Sequence, residues 1–174
     1  VRSVEDLLRG TQGISIANSG GAGKNTSVFI RGTNSDHVLV LIDGIRAGSA
    51  TSGGAAYENI PIEQIERVEI VRGPRSSLYG SEAIGGVIQI FTRKGGKEGV
   101  TPSFSYGGGS YGTFNGSAGL SGRSKRGWFN MSISGKKTKG FNACSGKSFP
   151  NGAGCYTNEP DRDGYRNIAG SFRA

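Results

Sequence analysis

The chain has 174 residues and a formal net charge of +8, and 34% of its residues are hydrophobic, a low fraction for a compact core of that size. Its 32 glycines follow no three-residue period, which excludes a collagen helix and favours a β protein rich in loops. No apolar run of about 18 residues occurs, which excludes a membrane-spanning helix, and we expect no signal peptide in the charged segment 1–8.

The first part of the chain predicts one short helix and three strands. Residues 4–8 (VEDLL) begin with acidic residues, as is typical of a short helix. A strand is predicted over residues 14–18. The runs 28–30 and 38–42 are nearly continuous in apolar residues, so we expect both of their faces to be buried in a central sheet.

A glycine-rich loop, SGGAGKNT, follows the first predicted strand at residues 19–26. A phosphate-binding P-loop needs Ser or Thr directly after its lysine, followed by a helix whose N-terminus faces the phosphates. Here Asn25 follows Lys24, and the next segment, SVFIRG, is a predicted strand. We therefore expect no nucleotide site in this loop.

Residues 47–57 (AGSATSGGAAY) form a second loop of small residues. Small side chains let a ligand approach the backbone closely. An unconstrained surface loop has the same composition, so the sequence leaves both interpretations open.

Residues 65–92 predict two strands joined by a turn-rich connection, because apolar residues nearly alternate at the beginning of this stretch and return at its end. Gly73 and Pro74 force a turn, since Pro fixes φ and Gly accepts values of φ that other residues avoid. One helical turn is predicted within residues 76–83.

The residue inventory does not support catalysis. His37 is the only histidine, and no G-x-S-x-G elbow is present, so the sequence contains no candidate catalytic triad. Glu66 and Glu69 are three residues apart in a predicted strand, so their side chains point to opposite faces and do not form a carboxylate pair. We expect a protein that is not an enzyme.

Basic residues cluster in three runs, 93–97, 123–126 and 136–139, each at the edge of a predicted strand. No recognition helix and no platform of stacked aromatic rings accompanies them, so we expect no nucleic-acid partner. Their placement fits loops and rims better than a continuous groove.

From residue 101 onward, after a candidate linker at 93–102, four segments alternate between apolar and small polar residues. Their apolar or small outward positions are Phe104 and Tyr106, then Phe114, Gly116, Ala118 and Leu120, then Phe129, Met131 and Ile133, and finally Ile168, Gly170 and Phe172. Amphipathic strands of this kind build transmembrane β-barrels with a wet interior or soluble β-sandwiches whose apolar faces meet. Because even the smallest barrels need about eight strands, we expect a fragment whose barrel continues beyond the chain.

Three motifs resemble, in the same order, the plug domain of TonB-dependent outer-membrane receptors: VFIRG at 28–32, VLVLIDGIR at 38–46 and VRGPRSSLYGSEAIGGVIQI at 71–90. The resemblance covers nearly the whole chain, and within the family it is closest to the cobalamin (vitamin B12) transporters. It implies an α+β plug domain, a small mixed sheet with short helices, at 1–100, followed at 101–174 by the first four antiparallel strands of an incomplete transmembrane β-barrel. It further implies active uptake across the bacterial outer membrane, driven by TonB through a box expected before Val1.

The connections between the four strands predict their orientation. Those at 107–112 and 122–126 are short, whereas the one at 139–164 is long, and in outer-membrane barrels the long loops are extracellular. The lysines of the last basic run, Lys136, Lys137 and Lys139, then lie near the outer rim. Their expected partners there are the phosphates of lipopolysaccharide.

The resemblance also implies site residues. Substrate contacts carried over from the two loops at the plug apex are Ser19, Lys24, Asn25, Thr26, Asn34, Thr51 and Ser52. Lys24 and Asn25 differ from the residues expected in a cobalamin transporter. Arg31 and Arg72 are expected to pair with barrel glutamates and lock the plug in place.

Two further predictions fall in the long loop. The sequence DRDG at 161–164 resembles part of a calcium loop, and the family resemblance assigns calcium ligands to Asp161, Asp163 and Asn142, where the family has Asp in place of Asn142. Cys144 and Cys155 are the only cysteines and predict a disulfide, since an even count in an exported loop favours pairing; two free thiols are the alternative.

Three alternative functions remain open at the level of sequence. A ferric-siderophore receptor would share the fold and the TonB partner. A surface receptor for a phage or bacteriocin would need binding without uptake. A soluble β-rich adhesin would fold as a monomer without detergent.

Overall fold

The computed structural model describes residues 3–49, 53–96, 98–143 and 161–174. Its helices are α1 (Val4–Leu8) and α2 (Ser76–Tyr79), with single 3₁₀ turns at Ser35–His37, Tyr57–Asn59, Ile62–Gln64 and Ser81–Ala83. The strands are β1 (Ile14–Asn18), β2 (Thr26–Ile30), β3 (Val38–Ile42), β4 (Ile45–Arg46), β5 (Ile65–Arg72), β6 (Gly86–Thr92), β7 (Gly99–Gly109), β8 (Thr113–Ser124), β9 (Gly127–Thr138) and β10 (Tyr165–Arg173). None of the helices described is both long and apolar enough to span a membrane.

The N-terminal domain, called the plug below (residues 3–96), is built on a four-stranded sheet in the order β4-β3-β6-β5. The central pair β3 and β6 is parallel, and the outer pairs are antiparallel. Residues 38–41 of β3 are all buried, which confirms the prediction of a strand covered on both faces. The fully buried Ile88 and Ile90 of β6 anchor the core.

Helix α1 covers one side of this core. The Ser3 hydroxyl accepts a hydrogen bond from the Asp6 N–H at 3.2 Å and so caps the helix, as predicted for a short helix with acidic residues in its first turn. Val4 and Leu8 point inward from successive turns and are buried against the hairpin and the sheet.

Strands β1 and β2 form an antiparallel hairpin, and the glycine-rich loop 19–25 is its tip. The residue after the loop, Thr26, begins a strand, so no helix N-terminus faces the loop and the geometry of a P-loop is absent.

The remaining strands form one antiparallel sheet in the order β10-β9-β8-β7, called the barrel sheet below. Its outward face is apolar and exposed: the exposed fractions are 80% for Phe104, 58% for Ile133 and 69% for Phe172. The opposite face carries small polar side chains and turns toward the plug, where Ser134 and Thr138 are buried. The predicted alternation and the fold class, a plug with the antiparallel strands of an incomplete barrel, are confirmed.

The chain leaves the plug sheet at Thr92 and enters the barrel sheet at Gly99. Pro102, which was expected in the linker, lies within β7 opposite Leu120. In the described sheet β7 has one neighbour, β8, and a proline, which has no N–H to donate, is compatible with such an edge strand. The division at residue 100 remains a prediction.

Candidate ligand site and plug–barrel junctions

A cavity of about 290 Å³ opens at the apex of the plug, between the hairpin tip and the second loop. Its lining side chains are mainly small and polar, and they come from Asn25, Thr26, Ser27, Val28, Ser35, Ser49 and residues 54–58. The volume is at the lower end for a small-molecule pocket. It therefore suits one projecting group of a larger ligand.

Only some of the predicted substrate contacts line the apical cavity. Asn25 and Thr26 line the apical cavity, whereas Ser19, Lys24 and Asn34 do not. Thr51 and Ser52 lie outside the described residues.

Thr26 serves the fold as well as the cavity wall. It is only 3% exposed, and its hydroxyl donates to the Glu5 carboxylate at 2.8 Å and accepts from the Asn18 side-chain amide at 3.0 Å. These bonds tie the base of the hairpin tip to helix α1. No local sequence signal indicates this network, because its members come from three separate elements.

Sequence reasoning missed Glu58 as a cavity residue. Among the residues that the structure describes, its Oε2 atom is buried without a hydrogen-bond partner. Tyr57 beside it is buried, and burial raises the pKa of its phenol above the ordinary range. The available signal was the small-residue loop before it, whose composition already allowed close approach of a ligand.

The hairpin tip contacts the barrel sheet at an outer junction. Lys24 Nζ lies 2.5 Å from Asp163 Oδ1, and the N–H of Ala143 donates to Asp163 Oδ2 at 2.8 Å. These bonds from Lys24 and Ala143 hold the pKa of the Asp163 carboxyl below its usual range. Tyr165, at the start of β10, donates from its hydroxyl to the Glu58 carbonyl at 3.1 Å.

A second contact, the inner junction, joins the far end of β10 to the plug sheet. Arg173 Nη1 lies 2.8 Å from Asp43 Oδ2, and Thr92 donates to the same carboxylate from its N–H at 3.0 Å and from its hydroxyl at 2.7 Å. Burial alone would raise the pKa of Asp43, but the bonds from Thr92 and Arg173 outweigh it and lower the pKa.

The arginines predicted to lock the plug, Arg31 and Arg72, are both exposed, and both side chains pass close to Gly13. Their expected partners are glutamates of barrel strands, and the described part of the barrel sheet contains no glutamate. Their role stays a prediction. The ion pairs that join plug and barrel sheet in the described structure are those of Lys24 and Arg173.

The predicted calcium ligands do not form a metal cage in the residues described. No three acidic, His or Cys side chains gather there, whereas calcium takes six to eight oxygen ligands. Both oxygens of Asp163 are engaged, by Lys24 and by the Ala143 N–H, and Asp161 is exposed. Calcium stays a prediction that this geometry does not fit. Cys144 and Cys155 lie outside the described residues, so their disulfide also stays a prediction.

The lysines predicted to face lipopolysaccharide are separated by the strand register. Lys137 is exposed on the apolar outward face, paired with Phe114 and with Arg166. Lys136, one residue away, turns to the polar face opposite Asn115 and Asn167. Lys139 is exposed just beyond β9.

Comparison with known proteins agrees with this architecture. The family model for the TonB-dependent Receptor Plug Domain matches residues 1–87, which is 87 of 174 residues. The vitamin B12 transporter BtuB of Photobacterium profundum is 40% identical over 167 residues, covering 95% of this chain and 26% of the relative. BtuB of Vibrio cholerae serotype O1 (strain M66-2) is 39% identical over 166 residues, with the same coverage.

Two solved structures share the fold. The siderophore receptor PirA from Acinetobacter baumannii has a TM-score of 0.62 at 26% identity, covering 80% of this chain and 23% of that one. The ferric yersiniabactin uptake receptor FyuA from Yersinia pestis has a TM-score of 0.61 at 23% identity, covering 98% and 26%. The chain thus spans about a quarter of the length of these relatives. It belongs to the TonB-dependent receptors of the bacterial outer membrane and holds their plug domain together with four strands of the barrel sheet.

Proposed function

We propose that this chain contains the ligand-binding plug and four barrel strands of a receptor that takes up cobalamin across the outer membrane. The energy for uptake is supplied by TonB. The observation that carries the proposal is the 40% identity to a vitamin B12 transporter over 95% of the chain. The apical cavity supports it, because its polar walls and the unpartnered Glu58 oxygen suit a large ligand that projects hydrogen-bond donors such as amide groups. A ferric-siderophore receptor is the second candidate, favoured by the fold of PirA.

Binding of cyanocobalamin to the full-length receptor in detergent tests the proposal. We expect saturable, tight binding of cyanocobalamin and none of a ferric catecholate siderophore. The reverse result would keep the family and assign the receptor to siderophores. Binding of neither ligand would leave a surface-receptor role for phage or bacteriocin.

Replacing Asn25 by Ala is expected to weaken cyanocobalamin binding by about 3- to 10-fold, the loss expected for one hydrogen bond. Asn25 lines the apical cavity, whereas Asn34 does not, so Asn34→Ala is the matched control with the same chemical change. Isothermal titration of both variants measures the difference. A dissociation constant for Asn25→Ala equal to that of the unaltered receptor would remove the apical cavity from the binding site.

We also propose that the outward-facing basic pair Lys137 and Arg166 binds the phosphates of lipopolysaccharide. Both side chains are exposed at the outer end of the apolar face, where lipid headgroups meet the barrel. Replacing both by Gln is expected to lower the lipopolysaccharide that co-purifies with the receptor by at least about half, in line with the loss of two charge-assisted contacts.

The strand register provides the control for this experiment. Lys136→Gln removes a positive charge one residue away, on the face that turns from lipid toward the plug. Phosphate assay of the purified receptors should find lipopolysaccharide unchanged in that variant. An equal loss from Lys136→Gln would mean that net charge, and not the outward pair, determines the amount bound.

A further inference from the structure

The outer junction is closely packed because the hairpin tip has glycines where it meets Tyr165 and Ala143. A Cβ added at Gly23 would lie 1.9 Å from Cδ2 of Tyr165, and one added at Gly20 would lie 2.9 Å from the Ala143 Cβ. Gly23 also has φ = +78°, which side chains disfavour. The tip therefore approaches the barrel sheet at a distance that only glycine permits, and this approach brings Lys24 to Asp163.

At this junction one cation already neutralises the carboxylate. Lys24 Nζ is 2.5 Å from Asp163 Oδ1, and the second oxygen, Oδ2, accepts from the Ala143 N–H. A calcium ion sharing Oδ1 would stand beside a fixed ammonium group and be repelled by it. Nearby Asn142 is neutral, which further lowers the negative charge available to a divalent ion.

We propose that the Lys24 ammonium is the resident cation of the outer junction, in the position that the family resemblance gives to calcium, so that this junction is ordered without a divalent metal. The cation is covalently part of the hairpin tip. Ordering of residues 139–143 and 161–165 therefore depends on the docking of the plug, and it is insensitive to chelators.

The same contact positions a cavity residue. Lys24 directly precedes Asn25, which lines the apical cavity, and Tyr165 two residues beyond Asp163 donates to the carbonyl of Glu58, another lining residue. The outer junction thus connects residues 139–143 and 161–165 to two residues that line the cavity, Asn25 and Glu58. Lys24 acts here as a positioning residue and does not itself line the cavity.

Hydrogen exchange of the full-length receptor, measured by mass spectrometry without any ligand, tests this proposal. The peptides covering 139–143 and 161–166 report on the junction, since the Ala143 N–H donates to Asp163. Each protein is measured with a chelator and with about 10 mM calcium, roughly ten-fold above the dissociation constants of even weak extracellular calcium modules. The variants are Lys24→Gln, Lys24→Arg and, as the control, Lys139→Gln, which removes the charge of an exposed lysine in the same region.

In the unaltered receptor, exchange at these peptides is expected to be the same with chelator and with calcium. Lys24→Gln is expected to accelerate it about five-fold in chelator, roughly the factor for losing one partly exposed ion pair. Lys24→Arg should restore slow exchange because it keeps the cation, and Lys139→Gln should change nothing.

Two results would overturn the proposal. One is slower exchange of the unaltered receptor when calcium is added, which would show that the metal orders the junction. The other is equal exchange in Lys24→Gln and Lys139→Gln. Since no cobalamin is present, either result leaves the proposed transport function untouched, and failure of cobalamin binding leaves this inference untouched.

Discussion

Replacing Ile88 by Ala is expected to lower the free energy of opening of the plug sheet by about 2–5 kcal/mol, the range for truncating a fully buried isoleucine. Ile88 is 0% exposed, and it lies in β6 between Val40 of β3 and Ile70 of β5. The truncation leaves a cavity at the centre of the sheet, because neighbours on both strands are held by their ladder hydrogen bonds. Native-state hydrogen exchange of the β3 and β6 amides in the full-length receptor measures the loss.

Ile88→Val is the graded control for that variant. It removes one methylene group and is expected to cost about 0.5–1.5 kcal/mol in the same measurement. A loss for Ile88→Ala no greater than that for Ile88→Val would contradict the placement of Ile88 in a rigid core.

Asp43→Asn is expected to weaken the inner junction by about 1–2 kcal/mol, since it removes the charge that accepts from Arg173 while partial exposure screens the pair. Asp43 has φ = +51°, and Asn tolerates this conformation as well as Asp does, so the backbone should not change. The Thr92 N–H donates to Asp43 Oδ1, so exchange of the Thr92 amide reports on the junction directly.

The pH dependence of the inner junction follows from the lowered pKa of Asp43. The folded state favours the ionised carboxylate, so its contribution is fully present above the ordinary pKa of Asp, about 3.9. It is lost as pH falls through the lowered pKa of the folded state. Protection of the Thr92 amide, corrected for intrinsic exchange, should therefore hold from pH 7 to 5 and decrease toward pH 3.

Asp43→Asn should show low protection of Thr92 at every pH, because Asn does not titrate. Asp36→Asn is the control, since Asp36 is exposed and lies before the start of β3, whereas Thr92 is at the far end of the parallel neighbour β6. If Asp43→Asn kept the pH dependence of the unaltered receptor, another titrating group would hold the junction.

The plug sheet was predictable from sequence because its signals are local. The run VLVLI at 38–42 is apolar at every position, and residues 38–41 of β3 are indeed buried. The extent of β7 was less predictable: Pro102 was expected in the linker, yet it lies within a strand. A proline is compatible with an edge strand, and only the assembled sheet shows which strand is at the edge.

The candidate site was predicted only in part. Of the residues predicted to contact substrate, Asn25 and Thr26 line the apical cavity, whereas Lys24, directly before Asn25, pairs with Asp163 instead. Glu58 was not anticipated, because its place in the cavity wall depends on how the 3₁₀ turn Tyr57–Asn59 packs beside the hairpin.

The sequence by itself determined the element types, the faces of the barrel strands and the family, since period-two alternation, turn residues and ordered motifs are all properties of neighbouring residues. Only the tertiary structure decided which charges meet. Lys24 and Asp163 are 139 residues apart, and the local sequence around each residue does not indicate that the other is its partner. Their contact exists because the plug docks against the polar face of the barrel sheet at a distance set by glycines, and docking is a property of the whole fold.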